Sequence, residues 1–216
     1  MLAGYEREVR ESGLRDHLLE RGREHQAAVG GSGHSLGAIG YTEGGYLYAV
    51  LRHVRPQVAV ETGVANGFST AFSLLALDRN GEGHLHSVDL PREVGRDYEP
   101  GMFYEGEGRA GIPSGSESGW LIPPELKERW TLVLGRTQEE LPPVLERLGT
   151  IDTFMHDSEH SFECMWFEFN EAWPHLRDGG VLLSDDVNST EAFGRFAGEQ
   201  RRRPVRLARG MALLQK

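Results

Sequence analysis

Three aspartates stand where carboxylates can meet. Asp157 follows the short apolar run Thr153-Phe154-Met155, and the pair Asp185-Asp186 follows Val181-Leu182-Leu183. If those runs are adjacent strands of one parallel sheet, three carboxylates reach one edge and repel unless they are protonated or bridged by a cation. Oxygen-only donors suit a hard ion, Mg2+ or Mn2+, rather than zinc. The same residues also read without a metal, with Asp186 capping a following turn and Asp157 holding substrate. His160 lies three residues past Asp157. Its ordinary pKa of about 6.5 suits a group that takes a proton near neutrality. Alternatively it is a helix-start residue before Ser161, the candidate N-cap of a helix over 162–175.

The second chemical feature is the turn Glu61-Thr62-Gly63-Val64-Ala65-Asn66-Gly67-Phe68-Ser69-Thr70, directly after an apolar run and leading into a helical pattern. In open α/β sheets ligands bind at the carboxyl ends of strands, and glycine lets backbone approach them. Asp89 ends the next strand about 20 residues past the turn, the place of an acid that accepts from ribose hydroxyls. The spacing is not the G-x-G-x-x-G of dinucleotide sites. Glu61 at the strand end repels phosphate and attracts a cation, so an adenosyl ligand with a sulfonium and an amino group fits better than NAD. On this reading Gly67 borders the methionine pocket, and Gly67→Val would fill the pocket and leave the fold largely intact.

His156-Asp157-Ser158-Glu159-His160 also spells H-x-x-E-H, the inverted zinc-peptidase signature. That motif works only on a helix, where histidines four apart share a face. Here strand residues precede His156 and helical periodicity begins only at Phe162. A peptidase reading therefore stays a rival, as does an adenosyl-binding protein without turnover.

These groups need a scaffold, and the patterning supplies one. Residues 5–28, free of proline, predict one helix with a narrow apolar stripe, broken by Gly30-Gly31-Ser32-Gly33. Thr42 is the expected N-cap of a helix carrying Tyr46, Leu47, Val50, Leu51 and Val54 on one face and ending before Pro56. Strands follow at 58–60, 84–89, 131–134, 153–155 and 181–183, with helices through Phe72–Leu77, over 138–148 and over 162–175. Val205–Leu207 and Met211–Leu214 predict a closing antiparallel pair joined through Gly210. Alternation of strands and helices implies a doubly wound α/β fold, a mostly parallel seven-stranded sheet with an antiparallel C-terminal strand pair. Residues 91–124 break the rhythm. They are dense in glycine and proline and carry Tyr98, Phe103, Tyr104 and Trp120, which reads as a lid that packs over something or as a surface insertion. Cys164, the Trp166-Phe169-Trp173 stripe, His84 and His86 read as packing residues.

Composition narrows the classes further. The 216 residues suit one domain, with 1–40 a helical extension and glycine-rich linker. Lys and Arg number 23 against 33 Asp and Glu, a net charge of -10, which argues against nucleic-acid binding. No apolar stretch spans a membrane and no leader pattern opens the chain. One cysteine excludes an internal disulfide and suits a reducing cytoplasm. The amphipathic first helix suits a homodimer contact.

In order along the chain, E-x-G-x-x-x-G-x-S at Glu61–Ser69, Gly135-Arg136-Thr137-Gln138, Met155-His156-Asp157 and Leu183-Ser184-Asp185-Asp186-Val187 resemble the motifs of class I S-adenosylmethionine-dependent methyltransferases, particularly the catechol O-methyltransferase-like branch. The chain is also similar to small bacterial sugar and antibiotic O-methyltransferases. The resemblance implies a Rossmann-like fold and methyl transfer to a small-molecule hydroxyl. It implies that Gly63, Val64, Gly67 and Ser69 surround the methionine portion of S-adenosylmethionine, with Glu61 and Asp89 near its ribose and amino group and Thr137 and Gln138 near adenine. Asp157 would then face both cofactor and acceptor. Asp157, Asp185 and Asp186 match the ligands of Mg2+, with Asp186 replacing an asparagine. His160 takes the place of the branch's lysine base.

Overall fold

The computed structural model describes residues 2–28, 39–93, 96 and 111–216. Helices α1 (Leu2–Glu11), α2 (Leu14–Ala28) and α3 (Tyr41–Val54) precede the sheet. Strands β1 (Val58–Thr62), β2 (His84–Asp89), β3 (Trp130–Leu134), β4 (Ile151–His156), β5 (Leu176–Ser184), β6 (Val205–Arg206) and β7 (Ala212–Gln215) form one sheet in the order β3-β2-β1-β4-β5-β7-β6. Neighbours among β1 to β5 run parallel, whereas β7 pairs antiparallel with both β5 and β6. Helices α4 (Phe68–Asn80), α5 (Thr137–Leu148), α6 (Phe162–His175) and α7 (Ala192–Glu199) connect the strands.

Period-two alternation along the strands builds two cores, one on each face. Ala59, Leu85, Met155, Val181 and Leu183 point to the side of α3 and α4, where Leu47, Tyr48, Phe72 and Leu77 are buried. Val60, Val88, Phe154, Leu182 and Leu214 point to the opposite side and meet Leu145, Met165, Phe169 and Phe196. The strand order reverses at β1, whose neighbours are β2 and β4, so the crevice at a switch point opens above the carboxyl end of β1.

The expected architecture is present, with three local corrections. The helix predicted over 5–28 is two helices, because Gly13 adopts φ +76 and Ser12 Oγ accepts from the Leu14 N–H at 3.1 Å, starting a new helix. Helix α3 begins at Tyr41 behind Gly40, so Thr42 lies exposed inside its first turn rather than at the cap. Helix α7 was not anticipated. Its apolar residues Ala192, Phe193, Phe196 and Ala197 keep helical spacing, but Gly194 and Gly198 dilute the pattern. The stripe of α6 is core as expected, with Phe169 and Trp173 buried and Trp166 stacked beside Phe162. Cys164 is buried packing too, its thiol pushed up to about 12 chiefly by burial. The glycine run 30–33 lies outside the described residues.

Candidate active site

The turn after β1 is built around close backbone approach. Gly63 has φ +82, and a Cβ there would sit 2.0 Å from the Asp157 carbonyl oxygen. Asp157 N–H donates to Thr62 O at 2.9 Å, and Gly63 N–H donates to Val88 O at 2.9 Å. The glycine therefore lets the backbone leaving β4 at Asp157 and Ser158 press against the turn leaving β1. Gly67, at φ +89, opens α4, and a Cβ there would meet Gly119 Cα and Ile122 Cγ1 at 2.7 Å each.

Glu61 is completely buried below this turn. Ser69 Oγ, Thr70 Oγ1 and Ser87 Oγ donate to its carboxylate at 3.0, 2.9 and 2.9 Å. Burial raises its pKa to about 7, against the pull of those three hydroxyls. Its acceptor positions are spent on tying β1, β2 and α4 together, so it braces the turn from beneath. Asp89, at the end of β2, takes the N–H groups of Val64 and Ala65 at 3.1 Å each and the Ser118 hydroxyl at 2.6 Å. Burial still lifts its pKa above the ordinary carboxylate value.

Residues 111–122 strap across the turn. Gly119 N–H donates to Ala65 O at 2.8 Å and Leu121 N–H to Asn66 O at 3.0 Å. Asn66 Nδ2 donates to Gly111 O at 3.1 Å and its Oδ1 accepts from Trp120 Nε1 at 2.5 Å. Helix α2 seats on the strap, with His17 Nε2 3.0 Å from Leu121 O and the Arg21 guanidinium 5.0 Å above the Trp120 ring. At the end of β3, Thr137 is buried in the first turn of α5, and Gln138 Oε1 is buried with no hydrogen-bond partner among the described residues.

The ends of β4 and β5 are organised differently. Asp157 is 12% exposed, and its pKa is raised well above the carboxylate norm by burial, then by Asp185 and Glu61, with Ser69 opposing. Asp185 is raised as well, by burial first and by the charges of Asp186 and Glu43. Asp186 is 52% exposed, in left-handed backbone at φ +48 that aspartate tolerates. Its Oδ2 lies 3.1 Å from His160 Nδ1, while His160 Nε2 is 3.9 Å from Asp157 Oδ1 and lacks a hydrogen-bond partner among the described residues. Burial, then the neighbouring His156, lowers the His160 pKa, against the carboxylates of Asp186, Glu168 and Glu159.

Beneath His160 lies a fully buried pair. His156 Nδ1 is 2.6 Å from Glu168 Oε2, and Thr62 and Ser158 donate to Glu168 at 2.5 and 2.6 Å. Burial pushes the Glu168 carboxyl up, but the His156 charge and these bonds outweigh it and hold the pKa below normal.

Residues 60–187 match the profile of a family described as a methyltransferase domain. The chain belongs to that family. No curated protein sequence matches the chain. Among solved structures, the methyltransferase is similar to an S-adenosylhomocysteine-bound methyltransferase of Podospora anserina, at 12% identity and TM-score 0.60 over 94% of this chain and 86% of the other. It is also similar to the O-methyltransferase TomG of Streptomyces achromogenes, solved with S-adenosylmethionine, at 18% identity and TM-score 0.58 over 82% and 81%. A Bacillus cereus O-methyltransferase bound to S-adenosylhomocysteine aligns at 14% identity and TM-score 0.57 over 95% and 91%. The methyltransferase thus shares the Rossmann-like fold of these structures.

The fold brings the sequence-predicted residues of the methyltransferase to one sheet edge, with corrections in detail. The H-x-x-E-H stretch is not helical: His156 ends β4, and α6 starts only at Phe162. His156 is committed to Glu168, so the peptidase geometry is absent. Ser161 is the N-cap of α6, accepting from Cys164 N–H at 3.2 Å, which leaves His160 to the site. Gly67 is not a free wall of a methionine pocket, since its Cβ position is filled by the strap. The lid predicted over 91–124 is in part this strap; Tyr98, Phe103 and Tyr104 lie outside the described residues. Sequence reasoning missed Ser118, Asn66, Glu43 and Glu168. Only Glu168 left a trace, as the one carboxylate on the otherwise packed Cys164-Met165-Phe169 side of α6. No described helix is long and apolar enough to cross a membrane.

Proposed function

We propose that the protein is an S-adenosylmethionine-dependent O-methyltransferase acting on a hydroxyl of a small molecule such as a sugar, an antibiotic or another natural product. The observation that carries this reading is the convergence of the glycine turn, Asp89, Thr137-Gln138 and Asp157 at the carboxyl ends of β1 to β4. Asp89 would meet the ribose, and the unpartnered Gln138 Oε1 would accept a hydrogen bond from the adenine amino group. Val64, Gly63 and Ser69 would frame the methionine end, with Asp157 at the junction with the acceptor.

Methyl transfer is an in-line displacement, so the protein must chiefly align acceptor oxygen and sulfonium and remove the acceptor proton. His160, whose Nε2 has no hydrogen-bond partner among the described residues, would do the latter. Asp186, at its Nδ1, would stabilise the imidazolium that forms. The donors at Asp157, Asp185 and Asp186 fit a hard divalent cation in chemistry, and their mutual repulsion would be relieved by one. Among the described residues no three His, Cys, Asp or Glu side chains yet form a ready metal cage. Bound there, Mg2+ or Mn2+ would lower the pKa of the acceptor hydroxyl.

Calorimetry with S-adenosylhomocysteine and with NAD tests the cofactor, and only the former is expected to bind. Turnover with and without EDTA then tests the cation. Loss of activity restored by Mg2+ supports a metal held by the three aspartates. Full activity in EDTA together with a dead His160→Gln variant leaves a metal-independent enzyme driven by the histidine.

A further inference from the structure

An ionised carboxylate offers roughly four acceptor positions. Among the described residues Asp89 has four donors: the N–H groups of Val64, Ala65 and Leu90 and the hydroxyl of Ser118. Three of these belong to the strand ends and turn that hold the carboxylate in place. Ser118 alone comes from the strap, and its bond, at 2.6 Å, is the shortest of the three distances at hand. Ser118 is only 5% exposed, so its hydroxyl is turned to Asp89 rather than to open solvent.

We propose that Ser118 is a latch on the ribose-binding carboxylate, and that the ribose hydroxyls of the adenosyl cofactor take its place on Asp89. The inference rests on the adenosyl reading above. A ribose diol brings two donors to a group whose acceptor positions are full. It must displace a donor, and backbone N–H groups locked into the turn cannot leave. The Ser118 hydroxyl can rotate away, because the strap is held to the turn by other bonds, at Ala65 O, Asn66 O and both ends of the Asn66 side chain. Ser118 therefore sets cofactor affinity without being its ligand, by competing with the ribose for one carboxylate.

The test is a thermodynamic cycle of Ser118→Ala against S-adenosylhomocysteine and its 2′,3′-dideoxy analogue, by calorimetry. Removing the competing hydroxyl should tighten S-adenosylhomocysteine binding by about tenfold, a change of about 1.4 kcal/mol. Ser118→Thr, which keeps the hydroxyl, should bind like the wild type. In the wild type, loss of the ribose hydroxyls should cost less than about threefold, because the latch closes behind the analogue; in Ser118→Ala it should cost about tenfold or more. Equal or weaker binding of S-adenosylhomocysteine by Ser118→Ala with a native near-UV spectrum overturns the latch and leaves the cofactor reading standing. If neither protein binds S-adenosylhomocysteine, the cofactor reading fails and the latch falls with it. Should Ser118→Ala not fold, the wild-type measurement decides: a penalty above about tenfold for the dideoxy analogue overturns the proposal.

Discussion

The two halves of the sheet edge treat their acids in opposite ways. On the β1–β2 side, Glu61 receives three hydroxyl donors and Asp89 four donors, so each carboxylate is satisfied by the protein itself. On the β4–β5 side, Asp185 raises the pKa of Asp157 and Asp186 raises that of both, while Asp186 and His160 share one short contact. The first arrangement spends its acids on rigidity: a glycine turn with positive φ needs bracing before it can present backbone to a ligand. The second leaves charge and lone pairs uncompensated, which costs stability and reserves them for whatever arrives. A cofactor entering the first half must compete with protein donors, whereas an acceptor or cation entering the second half relieves strain already present.

The largest expected effect separates the halves by mechanism. Gly63→Ala puts a Cβ 2.0 Å from the Asp157 carbonyl and strains a positive φ. It should cost upwards of about 4 kcal/mol and give little folded protein, read by thermal melting. Gly81→Ala, at φ +72 with open space around its Cβ position, should cost only about 1 kcal/mol. Equal losses would show that backbone conformation, not the close approach of the Asp157 backbone, makes Gly63 necessary. Gly67→Val should also fail to fold well, because Gly119 and Ile122 occupy its Cβ space.

Next in size, Asp185→Asn should lower turnover by about 100-fold while changing S-adenosylhomocysteine affinity by less than about threefold. A matched loss in binding would mean that the acid-rich half also holds the cofactor, and the contrast between the halves would break.

Glu61 gives a pH signature with a definite sign. Its folded pKa, about 7, lies above the ordinary 4.5, so the folded state binds the proton more tightly. The stability this group contributes is present below 4.5 and is lost as pH rises through about 7, at about 1.4 kcal/mol per pH unit. Thermal melts of the wild type should therefore fall across that window relative to Glu61→Gln, whose profile should be flatter. Parallel profiles would place the titration elsewhere. The smallest effects concern caps. Ser161→Ala should cost about 1 kcal/mol and Thr42→Ala less than about 0.5 kcal/mol, since only Ser161 accepts a capping N–H.

His84 and His86 illustrate how far periodicity carries. Their alternation on β2 made them structural from sequence, and their rings indeed lie 4.8 Å apart on one face, with His84 bonded to Thr131. The alternation of strands and helices, the core stripe of α6 and the place of Asp157, Asp185 and His160 at one edge were legible for the same reason: each depends on local pattern and on the handedness of crossovers. Asp89 and Glu61 were legible only as positions. Both read as ligand contacts, yet Glu61 is consumed by Ser69, Thr70 and Ser87, residues eight, nine and 26 positions away in sequence.

What the sequence by itself determined is the sheet, its two apolar faces and the set of acids at its carboxyl edge, because hydrophobic alternation and glycine spacing act over a few residues. What only the tertiary structure decided is which of those acids are already spent. Ser118 reaches Asp89 from 29 residues away, Glu168 reaches His156 across a helix, and the 111–122 strap fills the Cβ space of Gly67. Hydrogen-bond satisfaction belongs to whatever chain segment crosses a site, and no periodicity in either segment encodes that crossing.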